Sequence, residues 1–311
     1  MNARKITEGA LTVALYIVLL LMFLYLPFFG IVFSFVLPLP FIYYTAKYNW
    51  KDGLLQFLAA VVLSFLVGTV AAVPVTFIYG LFGVVTGWCI YDQRDRFITF
   101  SSSTLTFIVT TIIVYAVSVL FFDINYLQEF KTAMEESVRE AVSVMELMGR
   151  DTGEITGQIN DYIDLITTLL PSVIILASAV IALLIHAISF PVLRRFGIDV
   201  LKARPFREIT LPKSLIWYYL AALLLSLFVN AEKGTFLYDV SVNLLYILEM
   251  LFVLQGLTFI FYFFHKKGYH RALAVVLSVF IILNPLLNQL TRILGIIDLG
   301  FDLRKRVQPK Q

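Results

Sequence analysis

The chain has 311 residues, of which 60% are hydrophobic and only 14% charged, with 24 Lys and Arg against 21 Asp and Glu for a formal net charge of +3. Soluble domains carry about 25% charged residues, so the composition excludes a water-soluble domain and indicates an all-α, polytopic helical membrane protein. Nothing in it suggests nucleic acid, and a single cysteine, Cys89, leaves no internal disulfide and no cysteine metal cluster.

Arg4 and Lys5 lead into an apolar run with no small-residue cleavage site, which reads as an uncleaved first span over residues 8–29. The second, residues 31–44, is short and broken by Pro38 and Pro40. Spans 3, 4 and 5 follow at 53–71, 74–90 and 105–122.

Residues 122–164 then interrupt the apolar pattern with ten acidic residues against three basic ones, a segment that has to lie in water. Leu127, Phe130, Met134, Val138, Ala141, Met145 and Met148 mark a helical stripe. Asp151 with Glu154 resembles a capping box, and Ile155, Ile159, Tyr162 and Ile166 mark a second stripe. The expectation is a helical hairpin turning at 150–153. Span 6 follows at 166–190 as a continuation of the second hairpin helix, then span 7 at 215–230 and span 8 at 237–264. A last apolar segment covers 273–290, giving eight or nine transmembrane helices. The organisation expected is therefore spans 1–5 within 1–121, the acidic hairpin within 122–164, spans 6–8 plus the apolar segment within 165–300, and a basic tail over 301–311.

Positive charge orients this arrangement. With the N-terminus in the cytoplasm, the inner loops carry fifteen Lys and Arg and the outer loops four, a strong positive-inside bias. The hairpin then faces away from the cytoplasm of a bacterial cell membrane. A ninth full span would put Arg304, Lys305, Arg306 and Lys310 outside, against that bias. A re-entrant or interfacial helix after Asn284–Pro285 would instead return the tail to the cytoplasm. The sequence leaves both open.

Chemistry-bearing motifs are sparse. The chain has no Walker loop, no HExxH and no GxSxG, so no catalytic residues, cofactor or metal site are expected and the protein does not read as an enzyme. His265 and His270 have the wrong spacing to share a helix face, and His186 reads as an interhelical hydrogen-bonding residue. Ala10 and Ala14 lie one turn apart on span 1, which permits close approach by another helix; Gly80, Gly83 and Gly87 do the same on span 4. Glu249 is an acid in the middle of an apolar span, a position that marks function or a buried partner. Asn243 and Gln255 flank it six residues away on either side but off its face.

Ala10 and Ala14 in the first span, the two prolines of a short second span and six spans over roughly residues 1–190 resemble the substrate-binding (S) component of energy-coupling factor transporters. The whole chain, with its polar insert, extra C-terminal spans and the ending Leu294-Gly295-Ile296-Ile297-Asp298 followed by Asp302-Leu303-Arg304, resembles the YybS-like family of uncharacterised bacterial membrane proteins. The S-component likeness implies an outward pocket for a small-molecule ligand. It also implies an energy-coupling transmembrane subunit with ATPases as partner, docked on the alanine face of span 1. The long hairpin and the added spans depart from that pattern. The reading that follows is a multi-pass protein with an S-component-like core acting in transport. The alternative is a non-transporting scaffold or regulator that recruits partners through its hairpin and basic inner loops.

Overall fold

A computed structural model describes residues 3–26, 29–68, 70–148, 153–202, 204–228 and 234–306, without the side chains of 153–156 and 160. The described residues are helical almost throughout. Seven helices among them are long and apolar enough to cross a membrane, or eight if one bent pair counts as a span. The chain divides into two compact units, Met1–Ser137 with Ile174–Lys202, and Val138–Val173 with Ala203–Gln311.

The first unit contains α1 (Ala3–Tyr25), α2 (Gly30–Ser34), α3 (Leu39–Lys47), α4 (Trp50–Gly68), α5 (Ala72–Tyr91) and α6 (Arg96–Phe122). It also holds the start of α7 (Tyr126–Leu147) and the end of α8 (Gly153–Arg195). The second span is broken where expected, between α2 and α3, because Pro40 near the start of α3 has no N–H to carry the helical ladder through. The glycines of α5 face α3. A Cβ on Gly83 would lie 2.6 Å from Phe41 Cβ and 2.8 Å from Pro38 O, and one on Gly87 would lie 2.8 Å from Ile42 O. This glycine stripe is therefore consumed by the protein's own packing.

One core gathers Tyr16, Leu20, Phe41 and Phe57; another gathers Ile42, Phe82, Phe107, Ile185, Phe190 and Leu193. Ion pairs tie the N-terminal end of α1 to its neighbours: Glu8 receives Arg4, Lys47 and the Tyr48 hydroxyl, and Lys5 pairs with Asp52.

Helix α6 begins nine residues before the expected start of span 5. Asp95 caps it by accepting from Phe97 N at 2.8 Å, and the hydroxyls of Thr99, Ser103 and Thr106 donate to carbonyls four residues back at 3.0, 2.7 and 2.8 Å. Those bonds satisfy the polar side chains within the helix, so a Ser/Thr-rich turn stays helical in apolar surroundings.

Leu127, Met134, Val138 and Met145 lie on the less exposed side of α7 as expected, as does Ile159 on α8, but each stripe departs from the expectation by one residue further along. On α7, Val142 is buried while Ala141 is exposed; on α8, Ile163 is buried while Tyr162 is exposed. Steps of four from Val138 and from Ile159 follow the 3.6-residue turn more closely than the steps of three chosen from the sequence. The capping pair Asp151 and Glu154 and the turn at 150–153 fall outside the described residues and side chains. Helix α8 does run from the second hairpin stripe into span 6 without interruption.

The second unit contains the 3-10 turn Phe206–Glu208, α9 (Ser214–Phe228), α10 (Phe236–Lys266), α11 (Arg271–Leu283), α12 (Pro285–Phe301) and the short α13 (Leu303–Arg306). At 15 residues α9 is shorter than the ~20 that a perpendicular crossing takes. Helices α11 and α12 bend by 113° at Asn284. Asn284 Oδ1 caps α12 by accepting from Leu286 N and Leu287 N at 3.0 and 3.2 Å, and Pro285 begins that helix. Helix α12 then runs alongside α10 in the same direction, with Glu249 beside Arg292 and Thr258 beside Arg304. The Tyr262 hydroxyl donates to Arg304 O at 3.1 Å, so the basic tail returns to the end of α10 that carries Lys266 and Lys267. Of the two arrangements open from the sequence, this return of the tail agrees with a re-entrant or interfacial helix and not with a ninth full span.

Candidate functional site

Three groups of residues singled out by their chemistry can be placed. On α1, Val13, Tyr16 and Leu20 are buried, and the Tyr16 hydroxyl donates to Thr76 Oγ1 at 2.8 Å. Ala10 and Ala14 lie on a different face and are exposed, as are Leu11, Leu15 and Val18 beside them. The alanine stripe of α1 thus differs from the glycine stripe of α5: it has no helix of its own unit on it.

Glu249 sits halfway along α10 and forms an ion pair with Arg292 of α12, while the Tyr219 hydroxyl of α9 donates to it at 3.3 Å. A carboxylate at that depth is costly alone; here it is paired, with its side chain 29% exposed and that of Arg292 18% exposed. Asn243 and Gln255 do not join it. Asn243 Oδ1 accepts from Ser172 Oγ at 2.6 Å, and its Nδ2 donates to Thr168 O at 2.7 Å. Gln255 belongs to a third group.

That third group was not found by sequence reasoning. Fully buried Gln255 donates through Nε2 to Asp298 Oδ2 at 2.6 Å and accepts from Leu211 N at 3.0 Å. Arg304 reaches the same Asp298 oxygen through Nε at 3.0 Å, and also donates to Thr258 Oγ1 at 2.8 Å and Arg207 O at 2.9 Å. A Cβ on Gly295 would collide with Phe252 O, and one on Gly256 with Thr291 O, so these two glycines set the separation of α10 and α12 that the cluster requires. Asp302, in the left-handed region at φ 49°, closes α12 and pairs with Lys213 and Lys305. Those ammonium groups, Lys213 foremost, hold its carboxyl below the usual carboxylate range. The motif residues Gly295, Asp298, Asp302 and Arg304 therefore act together as a fastening of the C-terminal helices. The available signal was an acid near the end of an apolar run and an arginine six residues beyond it, across a helix end.

His186 Nε2 lies 3.2 Å from Ser103 Oγ and its ring stacks on Phe190 at 4.4 Å, the interhelical role expected of it. His270 caps α11, its Nδ1 accepting from Ala272 N.

No solved structure matches the chain. A family model described as predicted membrane protein (DUF2232) matches residues 14–299. Uncharacterized protein YybS of Bacillus subtilis (strain 168) is 30% identical over 310 residues, covering 99% of either chain. With that likeness running from end to end, the chain belongs to the DUF2232 family of predicted membrane proteins.

Proposed function

We propose that this protein is an S-component-like membrane subunit that docks an energy-coupling transmembrane partner against α1. In this reading the N-terminus is cytoplasmic and the task of the assembly is transport of a small molecule. One observation carries the reading: Ala10 and Ala14 are exposed one turn apart on α1, where every other small-residue stripe described above is covered by a neighbouring helix. A face of small residues in a membrane lets a partner backbone come close enough for extensive van der Waals contact.

A different observation favours the rival, a non-transporting scaffold or regulator. The space between α5, α6 and α8 is filled by Phe82, Phe107, Ile185 and His186, where an S component would hold its ligand.

Co-purification separates the two. After mild solubilisation, the wild-type protein is expected to bring down an energy-coupling transmembrane subunit with its ATPases, and Ala10→Leu with Ala14→Leu is expected to lose them while the protein itself still accumulates. Retention of those subunits by the double variant would remove α1 as the docking face. Their absence from the wild-type preparation would favour the scaffold.

A further inference from the structure

The turn that joins α5 to α6 meets the segment that follows α8 around a small recess open to the surface. Gln93 holds the two together. Its backbone is in the left-handed region at φ 52°, and its Nε2 donates to Ile90 O at 3.1 Å and Asp199 O at 3.2 Å. Ile90, Thr99, Val200 and Leu201 supply the apolar part of the lining.

The charges around this recess do not balance locally. Arg94 is engaged by Asp92 at 2.8 Å, and Arg194 spends its donors on the carbonyls of Val200 and Leu201. Asp95 is occupied as the cap of α6. Arg96, on the recess wall, forms no ion pair with any described residue; its guanidinium lies over the Phe190 ring at 3.8 Å, and its Nη1 is buried without an acceptor. Asp199 also lines the recess and forms no ion pair with Arg96. A half-buried guanidinium whose neighbour is an aromatic ring and not an anion is only partly compensated for its lost hydration, and an anion seated at its accessible edge would add charge-assisted hydrogen bonds.

The surroundings indicate which anion. Arg96 opens α6 just past the end of α5, and the exposed Trp88, Tyr91 and Phe97 flank it. The amphipathic rings of Trp88 and Tyr91 are of the kind that settles at the headgroup level of a bilayer, and basic pockets between helices at that level hold phosphate headgroups. We infer that the recess beside Arg96 binds a phosphate group, supplied by the headgroup of an anionic phospholipid. This site is independent of the partner docked on α1.

Native mass spectrometry of the detergent-solubilised protein, mixed with phosphatidylglycerol or phosphatidylcholine, tests the inference directly. Inorganic phosphate added as a competitor distinguishes the source. The wild type is expected to retain phosphatidylglycerol over phosphatidylcholine. Arg96→Gln is expected to weaken that retention about ten-fold, the worth of one charge-assisted hydrogen bond. Leu201→Trp, which obstructs the recess from a partly exposed position, should weaken it too. Displacement of the lipid by millimolar inorganic phosphate would assign the site to free phosphate, with the same phosphate chemistry upheld. Equal retention of the two lipids by the wild type with no phosphate effect, or an unchanged preference in both variants, would overturn it.

Discussion

Glu249 illustrates how a single ionisable residue is tolerated inside an apolar helix. On insertion scales a charge at the centre of a span costs about 2.5–3.5 kcal/mol, and Arg292 with the Tyr219 hydroxyl offsets that cost. Removing one member leaves the other charged and poorly solvated. Glu249→Gln is therefore expected to destabilise the protein by about 2–3 kcal/mol, less than a fully buried pair because both side chains keep some exposure. Arg292→Gln should cost a similar amount. The double variant should cost clearly less than the sum, since the coupling is counted twice in the singles. Unfolding curves in a fixed detergent would measure all three, and strict additivity would show that the pair is energetically idle. The acid was visible in the sequence as a lone charge among apolar residues. Its partner was not, because Arg292 lies 43 positions away and meets it only once α12 has turned back along α10.

At the level of elements, periodicity and proline positions carried most of the fold. The broken second span, the continuous α8 and the positions of the long apolar helices follow from hydrophobic runs and helix breakers that act locally. What depended on distant neighbours was not legible. Gly83 and Gly87 of α5 have the same four-residue spacing as Ala10 and Ala14 of α1, yet one pair is filled by α3 and the other is open. Likewise Gly256 and Gly295 gave no periodic signal, although they permit the close approach of α10 and α12. Gly295→Ala is expected to push α10 and α12 apart and to cost about 1–3 kcal/mol by overpacking. Because the Asp298–Arg304 pair depends on that separation, the variant should also expose the tail to proteolysis after Lys305 or Arg306. An unaltered melting temperature together with unaltered protease resistance would mean that the two helices adjust freely.

For the molecule as a whole, the distribution of charge is the feature that connects sequence and structure. The acidic stretch 122–164 and the basic loops alternate in a way that a membrane would sort to opposite faces. The return of Arg304, Lys305 and Arg306 to the Lys266 end of α10 removes the one conflict in that pattern. Cysteine labelling in intact cells gives the expected outcome in two positions: with Cys89 replaced by serine, Glu140→Cys should react with an impermeant reagent, and Lys305→Cys should react only after the cells are opened. Reaction of both from the outside would invert the arrangement of the C-terminal helices.

The bend at Asn284 also bears on how the protein is made. Because α11 enters and α12 leaves at one end, three consecutive cationic side chains never have to be carried through hydrocarbon during biogenesis, a passage that would cost about 2.5–3.5 kcal/mol for each. The last two helices can thus join the bilayer without moving that cationic cluster across it.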